Sequence, residues 1–273
     1  MPKLTWLPNK TFELQFTIPW EQVKDSYQKN LKVVAEQTTI EGFRKGKAPL
    51  EMVEKRVDKS KLYSAVLEDL LPQTYFSAVK QHNLQPIIDP KIIPLSTEEG
   101  KDWTFKAIAC ETPDVVLGDY EAKIRQSRAK DKKVQKTQEQ SLKEIFDILL
   151  ATSQASLSPV LIEQETKRML SRLLSETQKL GLTLNEYLQA NKKTVEQLRE
   201  EHNRLAKETL SLEFILSKIA DKKNVSVTEA EIQAIIKAIP DTTEQKKLDT
   251  PPQKAYISSI LRKRKVIDFL SKI

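Results

Sequence analysis

One short segment, residues 41–49, combines the residue types that bind a macromolecular partner. Its candidate binding residues are Gly42, Phe43, Arg44, Lys45, Gly46, Lys47 and Pro49. The two glycines permit backbone angles that other residues resist, so they favour a turn that presents the side chains between them. Arginine and lysine bind RNA phosphates or acidic side chains, and Phe43 can bury against a partner. The segment therefore predicts a presented tip; the alternative is an ordinary connecting loop with Phe43 folded onto its own core.

The remaining reactive residue types do not form a catalytic set. His82 and His202 are the only histidines and fall in separate predicted domains. His202 lies in the apolar stripe of its helix, where a hydrogen-bonded core or boundary role is expected. Cys110, the single cysteine, ends a predicted strand and is expected to be a packed thiol. No G-x-G-x-x-G or G-x-x-x-x-G-K-[ST] motif occurs, which disfavours nucleotide enzymes. We therefore expect no enzyme activity, no metal site and no cofactor.

Charged residues outside the loop allow a second interpretation, nucleic-acid binding. The net charge is +7 and the pI is about 9.2, but the basic excess is not interleaved with aromatic residues as in a base-stacking surface. A basic run near the C-terminus could contact RNA or an acidic client, although such a run is more often the solvated face of a helix. That run is Arg262, Lys263, Arg264 and Lys265. Glu163 and Glu165, two residues apart on a predicted helix, point in different directions and are expected to be solvated.

Hydrophobic periodicity predicts an α+β region over residues 1–117. Residues 11–18 alternate apolar and polar side chains, the pattern of a half-buried strand, and Leu4 and Trp6 precede them in a hairpin. An antiparallel sheet packed against helices is the expected architecture. The other predicted elements are a helix over 20–37, a helix after Pro49, a helix over 61–82 that Pro72 kinks or breaks, and strands around 92–93 and over 103–110.

Helical signals replace strand signals after Gly118. Residues 118–140 are interpreted as a linker or strut, because 125–136 are basic and nearly without apolar residues and fit either a linker or a solvated helix. A chain break near 119–140 is expected to be tolerated. Residues 141–273 are predicted to form an all-α domain in which Gly181 and Pro240 end two helices. Three capping boxes begin helices in that domain: Thr183 with Glu186, Thr194 with Gln197, and Thr228 with Glu231.

Cysteine usage and hydropathy indicate where the protein works. One cysteine cannot form an intrachain disulfide, and the N-terminus has no apolar signal core. The longest uncharged stretch, 148–162, contains Ser, Thr, Gln and Pro and falls short of the ~18 apolar residues that a membrane span needs. We expect a cytoplasmic protein without a membrane partner.

Residues 42–49, Gly-Phe-Arg-Lys-Gly-Lys-Ala-Pro, resemble the ribosome-binding signature of trigger factor, the bacterial chaperone that meets nascent chains at the tunnel exit. Residues 1–117 are similar to that family's ribosome-binding domain, and the helices up to Ile273 resemble, more loosely, its helical chaperone domain with two arms. The resemblance implies that Phe43, Arg44 and Lys45 dock on ribosomal protein and RNA. It also implies nascent or unfolded polypeptides as partners and allows self-association off the ribosome.

One feature departs from longer members of that family, which carry a peptidyl-prolyl isomerase domain after the ribosome-binding domain. Residues 118–140 number 23, below the ~50 of a small domain, so the isomerase domain is expected to be absent. The sequence and the resemblance together predict an ATP-independent, ribosome-associated chaperone that binds nascent polypeptides and delays misfolding or aggregation. The alternatives are an RNA-binding or ribosome-assembly factor that uses the basic segment 123–136 and the loop together, and a prolyl isomerase.

Overall fold

The computed structural model describes residues 2–130 and 137–273, and the chain divides into two compact units. The first unit is Met1–Thr112 and the second is Pro113–Ile273. Within the described ranges, no helix combines the length and the apolar character needed to cross a membrane.

The first unit is an antiparallel four-stranded sheet with helices, as predicted. The strand order is β1-β2-β4-β3, so β2 and β4 pair at the centre of the sheet and β1 and β3 form its edges. Its elements are β1 (Lys3–Leu7), β2 (Thr11–Ile18), α1 (Trp20–Gln37), α2 (Leu50–Glu54), α3 (Lys59–Gln81), β3 (Lys91–Ser96) and β4 (Trp103–Cys110).

Alternation in β2 decides which face of this sheet is buried. The predicted apolar positions of β2 are fully or almost fully buried: Phe12, Leu14, Phe16 and Ile18. On the opposite face Glu13 pairs with Lys106 at 3.2 Å. Three residues, Pro8, Asn9 and Lys10, join the paired Leu7 and Thr11 in the β1–β2 hairpin. Asn9 and Lys10 both have positive φ (59° and 55°), and the amide of Thr11 donates to the carbonyl of Pro8 at 3.3 Å, which closes the turn.

The helical layer packs on the apolar face of the sheet. Helix α1 buries Val23, Tyr27 and Leu31, which follow the predicted helical spacing. Helix α3 is continuous from Lys59 to Gln81, so the predicted break at Pro72 does not occur. Pro72 lies on the exposed face, where the carbonyl that loses its N–H partner can bind water instead.

In its described residues, 113–130 and 137–273, the second unit consists of helices and one short antiparallel pair of strands. All three predicted capping boxes are present, each with reciprocal hydrogen bonds, and a fourth, Thr137 with Gln140, begins α5. The elements are β5 (Val115–Val116), α4 (Tyr120–Lys130), α5 (Gln138–Thr152), β6 (Gln154–Ala155), α6 (Pro159–Lys179), α7 (Leu184–Ala190), α8 (Val195–Lys222), α9 (Glu229–Lys237), α10 (Thr242–Leu248) and α11 (Pro251–Leu270).

Two features of the second unit differ from the sequence expectations. Val115 pairs with Ala155 in the β5–β6 sheet, which places residues 113–117 in this unit rather than with residues 1–112. Residues 118–140 include helix α4, the strut among the predicted alternatives, but this helix is not simply solvated, because Tyr120 and Ile124 are buried in the core with Ile145 and Leu149 of α5. Part of the basic segment 125–136 lies outside the described residues.

Candidate functional site

The backbone of the loop is set by its two glycines. Gly42 has φ +86° and Gly46 has φ +77°, the left-handed region that glycine adopts without a steric penalty. The amide of Phe43 donates to the carbonyl of Ile40 at 3.0 Å, and the amide of Lys47 donates to the carbonyl of Arg44 at 2.9 Å. The segment is therefore two successive turns.

Gly46 also has a packing role. A Cβ at this position would lie 3.0 Å from the carbonyl oxygen of Glu36 near the end of α1, whereas a Cβ at Gly42 would meet nothing within 4 Å. The amide of Gly46 donates to the carbonyl of Thr38 at 3.4 Å. The second glycine thus holds the loop against the helix that precedes it.

Buried residues on both sides anchor the loop. Ile40 before it and Val53 after it belong to the core of the first unit, and Ala48 and Leu50 pack against that core. Pro49 is the N-cap of α2, so the helix begins one residue after the proline.

A partly buried hydrogen bond joins α2 to α1. The Tyr27 hydroxyl donates to Oε1 of Glu54 at 3.0 Å. Burial, followed by the neighbouring Glu54 carboxylate, raises the pKa of Tyr27 to about 12. The hydroxyl consequently stays protonated and remains a donor at physiological pH.

The loop presents the side chains that the sequence singled out. Phe43 is 39% exposed and lies outside the core cluster of the first unit, so it is not folded onto that core. Arg44, Lys45 and Lys47 are exposed, and none forms an ion pair with a carboxylate in the described part of the chain. An aromatic ring and three free cations therefore share one tip, which suits a partner with both apolar and anionic groups.

The histidines and the cysteine have structural roles. His82 Nε2 lies 3.2 Å from the carbonyl oxygen of Pro2, and His202 Nδ1 lies 2.9 Å from that of Leu198 in its own helix. His202 is half-buried, the predicted boundary position. Cys110 is fully buried and forms no disulfide, so it is the packed thiol that was predicted.

One glutamate of the 163/165 pair is not solvated. Glu163 pairs with Lys167 at 2.9 Å on the surface of α6. Glu165 is only 11% exposed and accepts two hydrogen bonds from Arg168, at 2.7 and 2.8 Å. These bonds raise the pKa of Arg168. The prediction that Glu165 is solvated is wrong because α6 packs closely along α8, which covers that side of the helix.

The basic run near the C-terminus joins helices of the second unit. Arg262 donates to Asp221 at 2.7 Å and to the carbonyl of Val225 at 2.8 Å. Lys263 pairs with Glu213 on α8, and Lys265 pairs with Glu231 on α9 at 2.8 Å. Three of the four cations are thus engaged within the protein, and neither the solvated-face nor the RNA interpretation describes them.

Exposed apolar side chains form a feature that sequence analysis did not locate. In the second unit these residues are Val116, Leu174, Leu180, Leu182, Val195, Ile235, Tyr256, Ile260 and Phe269. Leu180, the most exposed at 76%, and Leu182 flank Gly181 in the turn after α6. Two leucines beside a glycine in a predicted turn could have indicated this exposed apolar surface, because turns are usually polar. An open groove of about 420 Å³ lies between α6 and α8, lined by Met169, Leu173 and His202 among others.

Comparison with known proteins gives consistent matches. The family described as bacterial trigger factor protein matches residues 3–145, and its C-terminal counterpart matches residues 117–272. Trigger factor of Staphylococcus epidermidis is 31% identical over 140 residues, 50% of this chain and 32% of the relative. Trigger factor of Streptococcus pneumoniae is 38% identical over 107 residues, 39% of this chain and 25% of the relative. These matches span a third or less of the curated relatives.

A solved structure from work on promiscuous substrate recognition in folding and assembly by the trigger factor chaperone is similar in fold. It aligns with a TM-score of 0.63 and 11% identity, over 100% of this chain and 99% of that one.

Proposed function

We propose that this chain, which belongs to the trigger factor family, is an ATP-independent chaperone that docks on the ribosome through the loop at residues 42–49. The second unit shields apolar segments of nascent or unfolded polypeptides. The protein acts in the cytoplasm, at the tunnel exit where such segments first appear.

The presented loop is the observation that carries this proposal. The stability of the fold does not explain why Phe43, Arg44 and Lys45 occupy this tip. Among the described residues, the three side chains contribute neither to the core nor to an ion pair. Their exposure nevertheless has a cost, since an exposed aromatic ring invites non-specific contacts. A partner that covers the ring and neutralises the cations accounts for both features.

The exposed apolar residues of the second unit support client binding. Leu180, Leu182 and Val195 lie at the α6–α7 and α7–α8 turns, and Tyr256 and Ile260 lie on α11. Apolar side chains that remain outside a core bind other apolar surfaces through the hydrophobic effect. Binding of this kind is weak at each residue and unspecific, so clients are released as folding buries their own apolar surface.

Prolyl isomerase activity is not part of the proposal. The two family matches overlap over residues 117–145, which leaves no residues between them for a further domain. The RNA-binding alternative relies on the basic segment 123–136 together with the loop, and part of that segment lies outside the described residues. The C-terminal run adds no support to it, because the cations at 262, 263 and 265 are engaged by the protein itself.

Co-sedimentation with ribosomes tests the docking step. The variant is Phe43→Ala with Arg44→Ala and Lys45→Ala. A matched control, Phe76→Ala with Lys24→Ala and Lys29→Ala, removes another exposed aromatic residue and two other cations of the first unit. We expect the loop variant to lose ribosome binding at moderate salt and the control to retain it. Binding of the loop variant at the wild-type level would reject the proposal.

A second assay tests the chaperone step. We expect the wild-type protein to slow aggregation of an unfolded client without ATP and to leave a proline-limited refolding step unaccelerated. Refolding that is catalysed at substoichiometric protein, in a preparation free of other isomerases, would contradict the proposal.

A further inference from the structure

A group of four cations lies where α2 ends and α3 begins, next to the loop but outside it. We call this group the basic corner; it consists of Lys55, Arg56, Lys59 and Lys61. We propose that the basic corner binds RNA phosphates, so that the RNA-contacting surface of the first unit extends past residues 42–49. That this RNA is ribosomal rests on the proposed function, whereas the binding of phosphates by the basic corner is argued independently of it.

All four cations are exposed, and none forms an ion pair within the described ranges. Carboxylates are present in the same segment but accept from neutral donors instead. Glu54 accepts from the Tyr27 hydroxyl at 3.0 Å, and Asp58 accepts from the amide of Ser60 at 2.9 Å as the N-cap of α3. The charge of the basic corner is therefore left uncompensated by specific contacts, in contrast to the paired cations of α11.

The placement of Lys59 and Lys61 is unfavourable for the helix itself. Both lie in the first turn of α3, which contains no acidic residue. The N-terminal end of a helix carries a partial positive charge, so acidic side chains stabilise that turn and lysines destabilise it. Two lysines at this position are better explained by binding than by stability.

The basic corner continues the charged surface of the loop. Helix α2 has five residues, and the six steps from Pro49 to Lys55, at 1.5 Å each, separate the two residues by only about 9 Å. Residues 44–61 contain seven Lys or Arg and three Asp or Glu, a net charge of +4. An RNA backbone carries phosphates at regular intervals, so it can bind several of these cations at once.

RNA is favoured over an acidic protein because residues 55–61 expose no large apolar side chain; the nearest one in sequence, Met52, lies on α2 outside the basic corner. Val57, its one apolar residue, is half-buried and packs against the core of the first unit. Protein interfaces usually surround a buried apolar centre, whereas contacts to a phosphate backbone need only cations and other donors.

The test uses the full chain, a fluorescein-labelled RNA hairpin and a salt titration. The variant is Lys59→Glu with Lys61→Glu. The matched control is Lys3→Glu with Lys24→Glu, which changes the net charge equally at exposed, unpaired lysines of β1 and α1. We expect the corner variant to bind about tenfold more weakly at low salt, and its plot of log affinity against log salt to be shallower by about 1 to 2. The control keeps the wild-type slope.

A thermal melt of the corner variant shows whether any loss of RNA binding is caused by misfolding. Because acidic residues suit the first turn of α3, we expect the corner variant to melt at or above the wild-type temperature while it loses RNA affinity. Unchanged affinity for the hairpin in the corner variant, or no binding by the wild-type protein at low salt, would overturn the inference.

Ribosome pelleting, run in parallel, separates this inference from the proposed function. If the corner variant loses hairpin binding but the loop triple variant still pellets with ribosomes, the proposed function fails and the basic corner stands. If the corner variant loses ribosome binding and keeps hairpin binding, the corner contacts a protein and the RNA assignment is wrong.

Discussion

Replacing Gly46 by alanine tests the loop geometry most sharply, because two features oppose a side chain there. At φ +77° an alanine costs about 1–2 kcal/mol. Its Cβ would also lie 3.0 Å from the Glu36 carbonyl oxygen, and overpacking of this kind adds about 1 kcal/mol or more. We expect Gly46→Ala to lower the free energy of unfolding of the first unit by about 2–3 kcal/mol.

Alanine substitutions at two other glycines distinguish the free-energy cost of the backbone conformation from that of the close packing. Gly42 and Gly100 both have φ +86°, and a Cβ at either position meets nothing within 4 Å. Gly42→Ala and Gly100→Ala are therefore expected to cost only the backbone penalty, about 1–2 kcal/mol. Gly100 lies between β3 and β4, outside the proposed docking loop, so Gly100→Ala should leave ribosome affinity unchanged.

Tryptophan fluorescence during urea unfolding is the assay, since the three tryptophans, Trp6, Trp20 and Trp103, all lie in the first unit. The order of destabilisation should be Gly46→Ala above Gly42→Ala and Gly100→Ala. Equal losses at all three positions would show that the loop does not contact the end of α1. No loss at any of them would refute the left-handed turns themselves.

Three further predictions concern contacts that hold each unit together. Tyr27→Phe removes the bond to Glu54 and should cost about 1 kcal/mol and weaken ribosome binding, both measured as above; wild-type values would show that the bond does not position α2. A fragment that begins at Gln138 lacks the buried Tyr120 and Ile124 and should be less stable by about 3–6 kcal/mol than one that begins at Pro113, in a thermal melt; equal stability would show that α4 is dispensable. Glu231 has its pKa lowered to about 2, first by the hydrogen bond from Lys265 and then by that from Thr228. Its contribution is present above about pH 4.5 and is lost as the pH falls towards about 2, so Glu231→Gln should flatten the acid-induced loss of helical circular dichroism over that range, and an unchanged profile would contradict the pairing.

Local signals predicted much of the fold. The alternation over β2 identified both the strand and its buried face, because one side of the sheet packs on helices and the other faces water. The three threonine capping boxes located the starts of α7, α8 and α9 to the residue, because the cap depends only on residues within one turn. The loop followed from two glycines in a chain that has five.

Features that depend on contacts distant in sequence were not predicted. Strands β5 and β6 have two residues each, too few for any alternation to be visible. Helix α4 has one short apolar pair, Tyr120 and Ile124, whose burial depends on partners far along the chain. In the sequence, Glu165 cannot be distinguished from a surface glutamate, because its burial depends on the packing of α6 along α8. The partners of the C-terminal cations are likewise distant in sequence, since their carboxylates come from α8 and α9.

Photo-crosslinking from position 43 tests the central claim most directly. A photoreactive phenylalanine analogue in place of Phe43 keeps the ring at the tip of the loop and reports what lies against it on a translating ribosome. We expect crosslinks to ribosomal protein or RNA at the tunnel exit, and we expect them to disappear when Arg44 and Lys45 are replaced by alanine. Crosslinks that fall elsewhere on the ribosome, or that persist without the two cations, would contradict it.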